Sequence, residues 1–297
     1  MLVRDEQRNR IESARGFIAA LDQSGGSTPG ALAAYGVEAS RFGSDDEMFD
    51  LVHGMRSRIM TSPSFGGDRV LGAILFEMTM DRQVQGQYTA EYLWSQKQIV
   101  PFLKVDKGLA EMADGTQIMK PNPGLGELLE RANERHVYGT KMRSLISEAV
   151  VTGVQAVVEQ QFSVGLQILD AGLMPIIEPE VSISCPDKAE AEALLREQIA
   201  TNLSRVPAGA QVMLKLTLPD QPNFYADLIA DPRVLRVVAL SGGYSRTDAN
   251  RKLGLNNGMI ASFSRALAEG LSDGQSDEDF SKTLDATVAS IFEASST

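Results

Sequence analysis

One lysine of the sequence stands inside an otherwise apolar stretch. Lys215 is flanked by Met213, Leu214 and Leu216 in the run VMLKLTL. Lysine is rarely buried without a partner, so the simpler interpretation of this residue alone is an edge-strand lysine whose amine reaches solvent. If carboxylates lie beside it, burial and a neighbouring cation favour the neutral amine. A neutral amine can attack a ketone and form a Schiff base.

Two carboxylates separated by a single proline are candidates to accompany this lysine. Glu178 and Glu180 follow the apolar run MPII, and Pro179 fixes the backbone between them. Alternate residues of a strand point to the same side, so both carboxylates can face one site. Such a pair could supply a general acid/base and a supporting carboxylate. Two surface acids at the end of a loop are the ordinary alternative.

Several cations occur close to apolar segments of this acidic chain. Lys104 lies in the run LKVDKG, and Lys141 and Arg143 lie in the run GTKMRSL. Salt bridges with Asp106 and its neighbours are the ordinary explanation for such cations. A local basic site on an acidic protein is better explained by an anionic small-molecule substrate.

Two glycine-containing segments could bind phosphate. Ser241-Gly242-Gly243 follows the apolar run VVAL, and glycines after a strand can expose backbone N–H groups to an anion. Arg265 could complete this site with a bidentate pair to the phosphate. The run SGGST at residues 24–28 follows the first apolar run in the same manner. Each segment is equally typical of an ordinary turn.

The candidate residues lie at or near the ends of apolar segments that alternate with helical patterns. Continuous apolar runs are typical of strands covered on both faces, as in parallel sheets. Helices are predicted between them at Ser147–Leu169 and Pro186–Ser204, and from Ser276 to about Ala294. Strands are predicted at Gly16–Leu21, Val70–Phe76, Ile99–Val105, Gly139–Leu145, Leu173–Ile177, Val212–Leu216, Val234–Leu240 and Gly258–Phe263.

Eight strands alternating with helices in 297 residues predict a (β/α)8 barrel with an extra N-terminal helix and a C-terminal helix. We expect one domain over residues 1–297. An open doubly wound sheet is the alternative, but no GxGxxG fingerprint follows the first predicted strand. The C-terminal ends of barrel strands converge on one face, where such folds carry their sites. That face would bring together the charged residues named above and Asp22, which follows the first strand.

Composition narrows the chemistry. The chain has 28 Lys plus Arg against 39 Asp plus Glu, which argues against a broad nucleic-acid surface or binding to anionic membranes. His53 and His136 are its only histidines, which argues against a histidine-built zinc site and a Ser-His-Asp triad. Cys185 is the single cysteine, and neither a signal-peptide pattern nor a run of about 18 apolar residues occurs. We therefore expect a cytoplasmic protein.

Nine segments together resemble the class I fructose-bisphosphate aldolases, most closely their short bacterial branch. In chain order they are FIAALDQSGGSTPGAL, RSRIMTSPSF, VLGAILFEMTM, IVPFLKVDKGL, GTKMRSLI, GLMPIIEPEV, VMLKLTLP, VVALSGGYSR and ASFSRAL. They span nearly the whole chain. The resemblance implies reversible cleavage of fructose 1,6-bisphosphate into dihydroxyacetone phosphate and glyceraldehyde 3-phosphate, through a lysine Schiff base and without metal or other cofactor.

The resemblance also implies a role for each matching position. Lys215 corresponds to the Schiff-base lysine, Glu178 to the proton-transfer carboxylate, and Glu180 to its companion. Lys141, beside Arg143, would assist dehydration of the carbinolamine. The acid that handles the C4 hydroxyl corresponds to Asp22. One phosphate would bind at Ser241, Gly242 and Arg265, and the other at Ser24, Ser27 and Lys104.

The chain also departs from the family pattern. Vertebrate-type members end in a mobile tail with a terminal tyrosine, whereas this chain ends EASST. Gln23 stands where those members carry an acid beside Asp22. The alternative functions are those of another Schiff-base sugar-phosphate aldolase, a transaldolase, or a non-catalytic barrel that binds sugar phosphates. The sequence also leaves a homo-oligomer open.

Overall fold

Eight parallel strands in chain order form the central sheet of the computed structural model, which describes residues 3–24, 26 and 28–297. The amide of Ala20 donates to the carbonyl of Phe263 at 3.1 Å, and this bond joins the first strand to the segment directly after the eighth. The sheet is therefore a nearly closed barrel, as predicted. Its strands are β1 Phe17–Leu21, β2 Val70–Leu75, β3 Val100–Lys104, β4 Gly139–Ile146, β5 Met174–Val181, β6 Val212–Thr217, β7 Val234–Leu240 and β8 Ile260–Ala261.

Helices surround this sheet, and the first and last elements of the chain are also helices. The predicted C-terminal helix is confirmed, and Ser276 caps it by accepting a hydrogen bond from the amide of Asp279 at 3.1 Å. The helices are α1 Val3–Ser13, α2 Thr28–Ala34, α3 Asp45–Thr61, α4 Glu77–Met80, α5 Thr89–Lys97, α6 Leu125–Glu134, α7 Val151–Asp170, α8 Lys188–Leu203, α9 Ala226–Ala230, α10 Arg246–Leu253, α11 Arg265–Ala268 and α12 Asp277–Ala294. The strands Gln83–Val84 and Gln87–Tyr88 form a small hairpin, and Thr116–Gln117 pairs antiparallel with β4.

Two sequence expectations need correction. The predicted fifth strand ended at Ile177, but β5 continues to Val181 because it stays paired with β4 along its full length. Glu178 therefore lies within the strand rather than after it. The edge-strand interpretation of Lys215 is also wrong, since β6 pairs with β5 on one side and with β7 on the other.

An apolar layer fills the N-terminal end of the barrel. Phe102 occupies its middle, where Gly72 and Gly139 leave room for the ring. A Cβ at Gly139 would lie 2.9 Å from this ring and 2.4 Å from a backbone oxygen, so only glycine is tolerated there. Ile11 of α1 belongs to the same buried cluster, so the N-terminal helix covers this end of the barrel. The opposite end of the barrel is left for polar residues.

Candidate active site

Strand alternation positions the charged residues of the site. Side chains at i and i+2 point to the same face of a strand, so a residue two positions beyond an interior apolar residue also faces the interior. Charged residues occupy that position at the C-terminal ends of four strands. The pairs are Ala20 and Asp22, Phe102 and Lys104, Ile176 and Glu178, and Met213 and Lys215. A charged layer thus lies directly above the apolar layer.

A cavity of about 790 Å³ opens over this charged layer. It brings together most of the residues that the sequence singled out. Gly243 lies at the edge of this group, and Ser27 lies outside the described residues. The predicted residues that line the cavity are Asp22, Ser24, Lys104, Lys141, Arg143, Glu178, Glu180, Lys215, Ser241, Gly242 and Arg265.

Glu178 contacts two lysines at once. Its Oε1 lies 3.0 Å from Nζ of Lys215, and its Oε2 lies 3.0 Å from Nζ of Lys141. Lys141 also forms an ion pair with Asp22, whose Oδ2 is 2.6 Å from the same Nζ. All four side chains are more than nine-tenths buried. The chain of contacts Asp22–Lys141–Glu178–Lys215 therefore joins strands on opposite sides of the cavity floor.

The buried charges in this series of contacts stabilise one another in their ionised forms. Burial alone would raise the pKa of Asp22, but the cations of Lys141 and Lys215 outweigh it and hold that pKa well below its usual range. Burial alone would lower the pKa of Lys141, but Asp22 and Glu178 outweigh it and raise that pKa above its ordinary value. Lys141 is thus a permanent cation and Asp22 a permanent anion near neutral pH.

Two further ion pairs lie on the rim of the charged layer. Nε of Arg143 is 2.5 Å from Oε2 of Glu180, so the alternate carboxylates of β5 pair with alternate cations of β4. Nζ of Lys104 is 2.6 Å from Oδ1 of Asp106, which confirms the salt bridge considered for this lysine. Asp106 also accepts a hydrogen bond from the amide of Arg143 and lines the cavity. Sequence reasoning treated Asp106 only as a salt-bridge partner, although its i+2 spacing from Lys104 was a signal.

Two glycines with positive φ angles form the turn after β7. Gly242 and Gly243 have φ values of 60° and 118°, which only glycine adopts readily. A Cβ at Gly242 would lie 2.7 Å from the side chain of Ile183. One at Gly243 would lie 3.5 Å from a guanidinium nitrogen of Arg265. Arg265 therefore lies beside this turn, at the cavity wall.

A buried arginine behind the cavity escaped sequence reasoning. Arg56 of α3 is fully buried and donates to the hydroxyl of Thr79 at 2.7 Å and to the carbonyl of Gln23 at 2.5 Å. Burial lowers its pKa to about 10, which leaves it charged at neutral pH. The side chain of Gln23 in turn donates to the hydroxyl of Ser264 at 2.6 Å. These bonds fix the backbone next to Asp22, and a single arginine in a helical pattern gave no sign of them.

The described part of the chain shows neither a cluster of metal ligands nor a membrane-spanning helix. Within residues 3–24, 26 and 28–297, no three His, Cys, Asp or Glu side chains cluster as metal ligands would. None of the helices among these residues is both long and apolar enough to cross a bilayer.

Comparison with known proteins identifies the family. Residues 7–225 match the family model described as Fructose-bisphosphate aldolase class-I. The chain belongs to the class I fructose-bisphosphate aldolase family. This family works through a lysine Schiff base, without a metal or other cofactor. Class I aldolases of similar sequence include those of a Synechocystis strain and Clostridium acetobutylicum.

Both bacterial proteins carry the name fructose-bisphosphate aldolase class 1. The Synechocystis protein is 58% identical over 98% of this chain and 97% of its own length. The Clostridium protein is 54% identical over 99% of each. A solved structure of the Plasmodium falciparum aldolase, in complex with TRAP and a small-molecule inhibitor, shares the fold. It has a TM-score of 0.76 and 17% identity, over 98% of this chain and 93% of that one.

Proposed function

We propose that this class I aldolase cleaves fructose 1,6-bisphosphate reversibly into dihydroxyacetone phosphate and glyceraldehyde 3-phosphate, with Lys215 as its Schiff-base lysine. The observation that carries the assignment is the double contact of Glu178 with Lys215 and Lys141. A lysine held against a carboxylate inside a polar cavity can pass on its proton and become a nucleophile. Lys215 is buried on a strand that is paired on both sides, so its amine faces the cavity rather than bulk solvent.

Formation of the Schiff base requires Glu178 first to accept a proton and later to return it. Transfer of one proton from Lys215 to Glu178 leaves a neutral amine and a carboxylic acid. The amine attacks the C2 ketone, and a proton passes from the new nitrogen cation to the alkoxide oxygen to give the carbinolamine. Glu178 then protonates the hydroxyl, which leaves as water. Lys141 stays cationic beside the other carboxylate oxygen, so it disfavours a positive charge on Lys215 and favours return of the proton from Glu178 to the carbinolamine. The product is a protonated imine on Lys215.

Cleavage of the C3–C4 bond follows from the positive charge on this imine. The C4 hydroxyl gives up its proton to a carboxylate, and the electrons of the C3–C4 bond move into the imine to form an enamine. Glyceraldehyde 3-phosphate leaves. Because the pKa of Asp22 is far below its usual range, Asp22 binds a proton poorly. We therefore assign proton acceptance to Glu178 and orientation of the C4 hydroxyl to Asp22.

We assign the two phosphate groups of the substrate to cationic side chains at the cavity wall. We assign the C1 phosphate to the turn Ser241–Gly243 and Arg265, since backbone N–H groups and a guanidinium bind phosphate oxygens well. Ser24 and Lys104 line the cavity and are assigned to the other phosphate, together with Ser27 as the sequence indicates. Arg143 and Glu180 form an ion pair in the same cavity.

The proposed cellular setting follows from the sequence. A chain with a net charge of −11 that acts on small sugar phosphates needs no nucleic-acid or membrane partner. We propose that it works in the cytoplasm.

Cleavage assays on the purified protein test the function. We expect fructose 1,6-bisphosphate to yield both triose phosphates, detected through a coupled dehydrogenase, and fructose 6-phosphate to react more slowly. Lys215→Met should abolish cleavage while far-ultraviolet circular dichroism stays unchanged, since the nucleophile is lost and no buried charge is added. A Lys215→Met protein with near-normal turnover would refute the Schiff-base assignment. Aldehyde exchange without net cleavage would indicate a transaldolase.

A further inference from the structure

A buried glutamine on a surrounding helix holds the backbone of Glu178. Gln161 of α7 is fully buried. Its Oε1 accepts a hydrogen bond from the amide of Glu178 at 2.9 Å, and its Nε2 donates to the carbonyl of the same residue at 3.0 Å. Nε2 also donates to the hydroxyl of Ser144 on β4 at 3.0 Å. One side chain therefore binds both backbone groups of a single residue and ties them to the neighbouring strand.

This contact lies where the pairing of β5 with β6 ends. The ladder between the two strands ends at Ile177 and Leu214, although β5 stays paired with β4 as far as Val181. Beyond that point a side chain spans the gap, since the hydroxyl of Thr217 donates to the carbonyl of Val181 at 2.7 Å. Glu178 is the first residue after the ladder ends. Gln161 therefore holds the backbone of Glu178 at the point where β6 no longer pairs with its strand.

We propose that Gln161 is a positioning residue for Glu178. The inference rests on the proposed function, in which Glu178 moves protons between Lys215 and the substrate. Each carboxylate oxygen of Glu178 lies 3.0 Å from the Nζ of one lysine. This double contact requires the backbone of Glu178 to keep a fixed position relative to the neighbouring strands β4 and β6. Gln161 fixes that position through its hydrogen bonds with the backbone of Glu178. A misplacement of about 1 Å in a reacting group can cost about a hundredfold in rate.

The same helix offers a matched control. Gln160, the preceding residue, makes the same kind of two-point contact with another backbone segment. Its Oε1 accepts from the amide of Met119 at 2.8 Å, and its Nε2 donates to the carbonyl of Met119 at 2.9 Å. Met119 lies outside the contacts of the catalytic lysines. Replacing either glutamine by methionine keeps the side-chain length and removes the hydrogen bonds.

The experiment compares Gln161→Met and Gln160→Met with the wild type. For each protein we would measure kcat and KM for fructose 1,6-bisphosphate, the rate of borohydride trapping of dihydroxyacetone phosphate, and the midpoint of thermal unfolding. Both variants should unfold at lower temperature. We expect Gln161→Met to lower kcat and the trapping rate by about 10- to 100-fold, with KM within about threefold of the wild type. Gln160→Met should keep both rates within about twofold.

The outcomes separate this inference from the proposed function. If wild type traps and cleaves the substrate but Gln161→Met loses no more rate than Gln160→Met, the positioning role is wrong and the function stands. A loss confined to KM would also overturn it. If Gln161→Met does not fold, Gln161→Glu keeps the acceptor and the shape but loses the donor to the Glu178 carbonyl. Wild-type rates in that variant would overturn the inference. Failure of the wild type itself would refute the proposed function.

Discussion

Lys215 and Lys141 are bound to opposite oxygens of one carboxylate, that of Glu178, at 3.0 Å each. Strand β5, which carries Glu178, lies between the strands that carry the two lysines. A proton that leaves Lys215 therefore has an acceptor already in place, and the cation of Lys141 disfavours a second positive charge on Lys215.

Glu178→Gln should lower kcat by about 10²- to 10⁴-fold with little change in KM, because an amide of the same shape cannot carry the proton. Steady-state kinetics with fructose 1,6-bisphosphate measure both constants. Glu180→Gln is the matched control, since it lies two residues away on the same strand and pairs with Arg143 instead of a lysine. Equal losses of kcat in the two variants would contradict the role assigned to Glu178.

Arg265→Ala should weaken binding of the C1 phosphate more than it slows the chemistry. Loss of a charge-assisted contact with phosphate costs about 1.5–3 kcal/mol, which is roughly tenfold to a hundredfold in KM. The penalty should shrink with fructose 6-phosphate, which lacks the C1 phosphate. An equal fold-loss on both substrates would mean that Arg265 supports the fold or the chemistry instead.

Incubation with EDTA should leave turnover unchanged. In the proposed mechanism the electrons of the cleaved bond enter a protonated imine, so a metal ion is not needed to stabilise them. Cleavage rates before and after chelation and gel filtration measure the effect. Activity that disappears with EDTA and returns with added zinc or cobalt would contradict the mechanism.

The stability of the protein should depend on Asp22 in acid. Its pKa is depressed in the folded state, so the unfolded chain binds more protons as pH falls below the ordinary value near 3.8. The stabilisation is therefore fully present above about pH 5 and is lost on acidification, by at most about 1.4 kcal/mol per pH unit.

Urea unfolding of wild type and Asp22→Asn between pH 2.5 and 7 measures this dependence. The difference in free energy of unfolding between the two proteins should be constant above about pH 5 and should narrow below pH 4. A difference that stays constant down to pH 2.5 would show that Asp22 is not held as an anion by its lysine partners.

Local patterns predicted the parts of the fold that depend on neighbouring residues. The bounds of β7 match the apolar run, and α12 begins after Ser276 because serine and three acids are a strong helix start. The sequence prediction ended β5 at Ile177 because the apolar run stops there and the next residue, Glu178, is charged. In this barrel the strand interior changes from apolar to charged at the level of Glu178, so a carboxylate there continues the strand.

Long-range contacts account for what the sequence could not show. Gln161 and Arg56 resemble any polar residue of an amphipathic helix, and only the fold brings them to the backbone of Glu178 and of Gln23. The charged residues at the strand ends were identifiable because strand alternation and barrel geometry direct them to one face. Their pairing could not be predicted, since it depends on the register between strands.

The most direct test of the account is the mass of the protein after borohydride treatment with dihydroxyacetone phosphate. We expect one adduct per chain, equal to the triose phosphate minus water plus two hydrogens, and we expect peptide mapping to place it on Lys215. The adduct should be absent without the triose phosphate and absent in Lys215→Met. An adduct on Lys141 or Lys104, or an unmodified wild-type protein that still cleaves fructose 1,6-bisphosphate, would contradict the Schiff-base mechanism at Lys215.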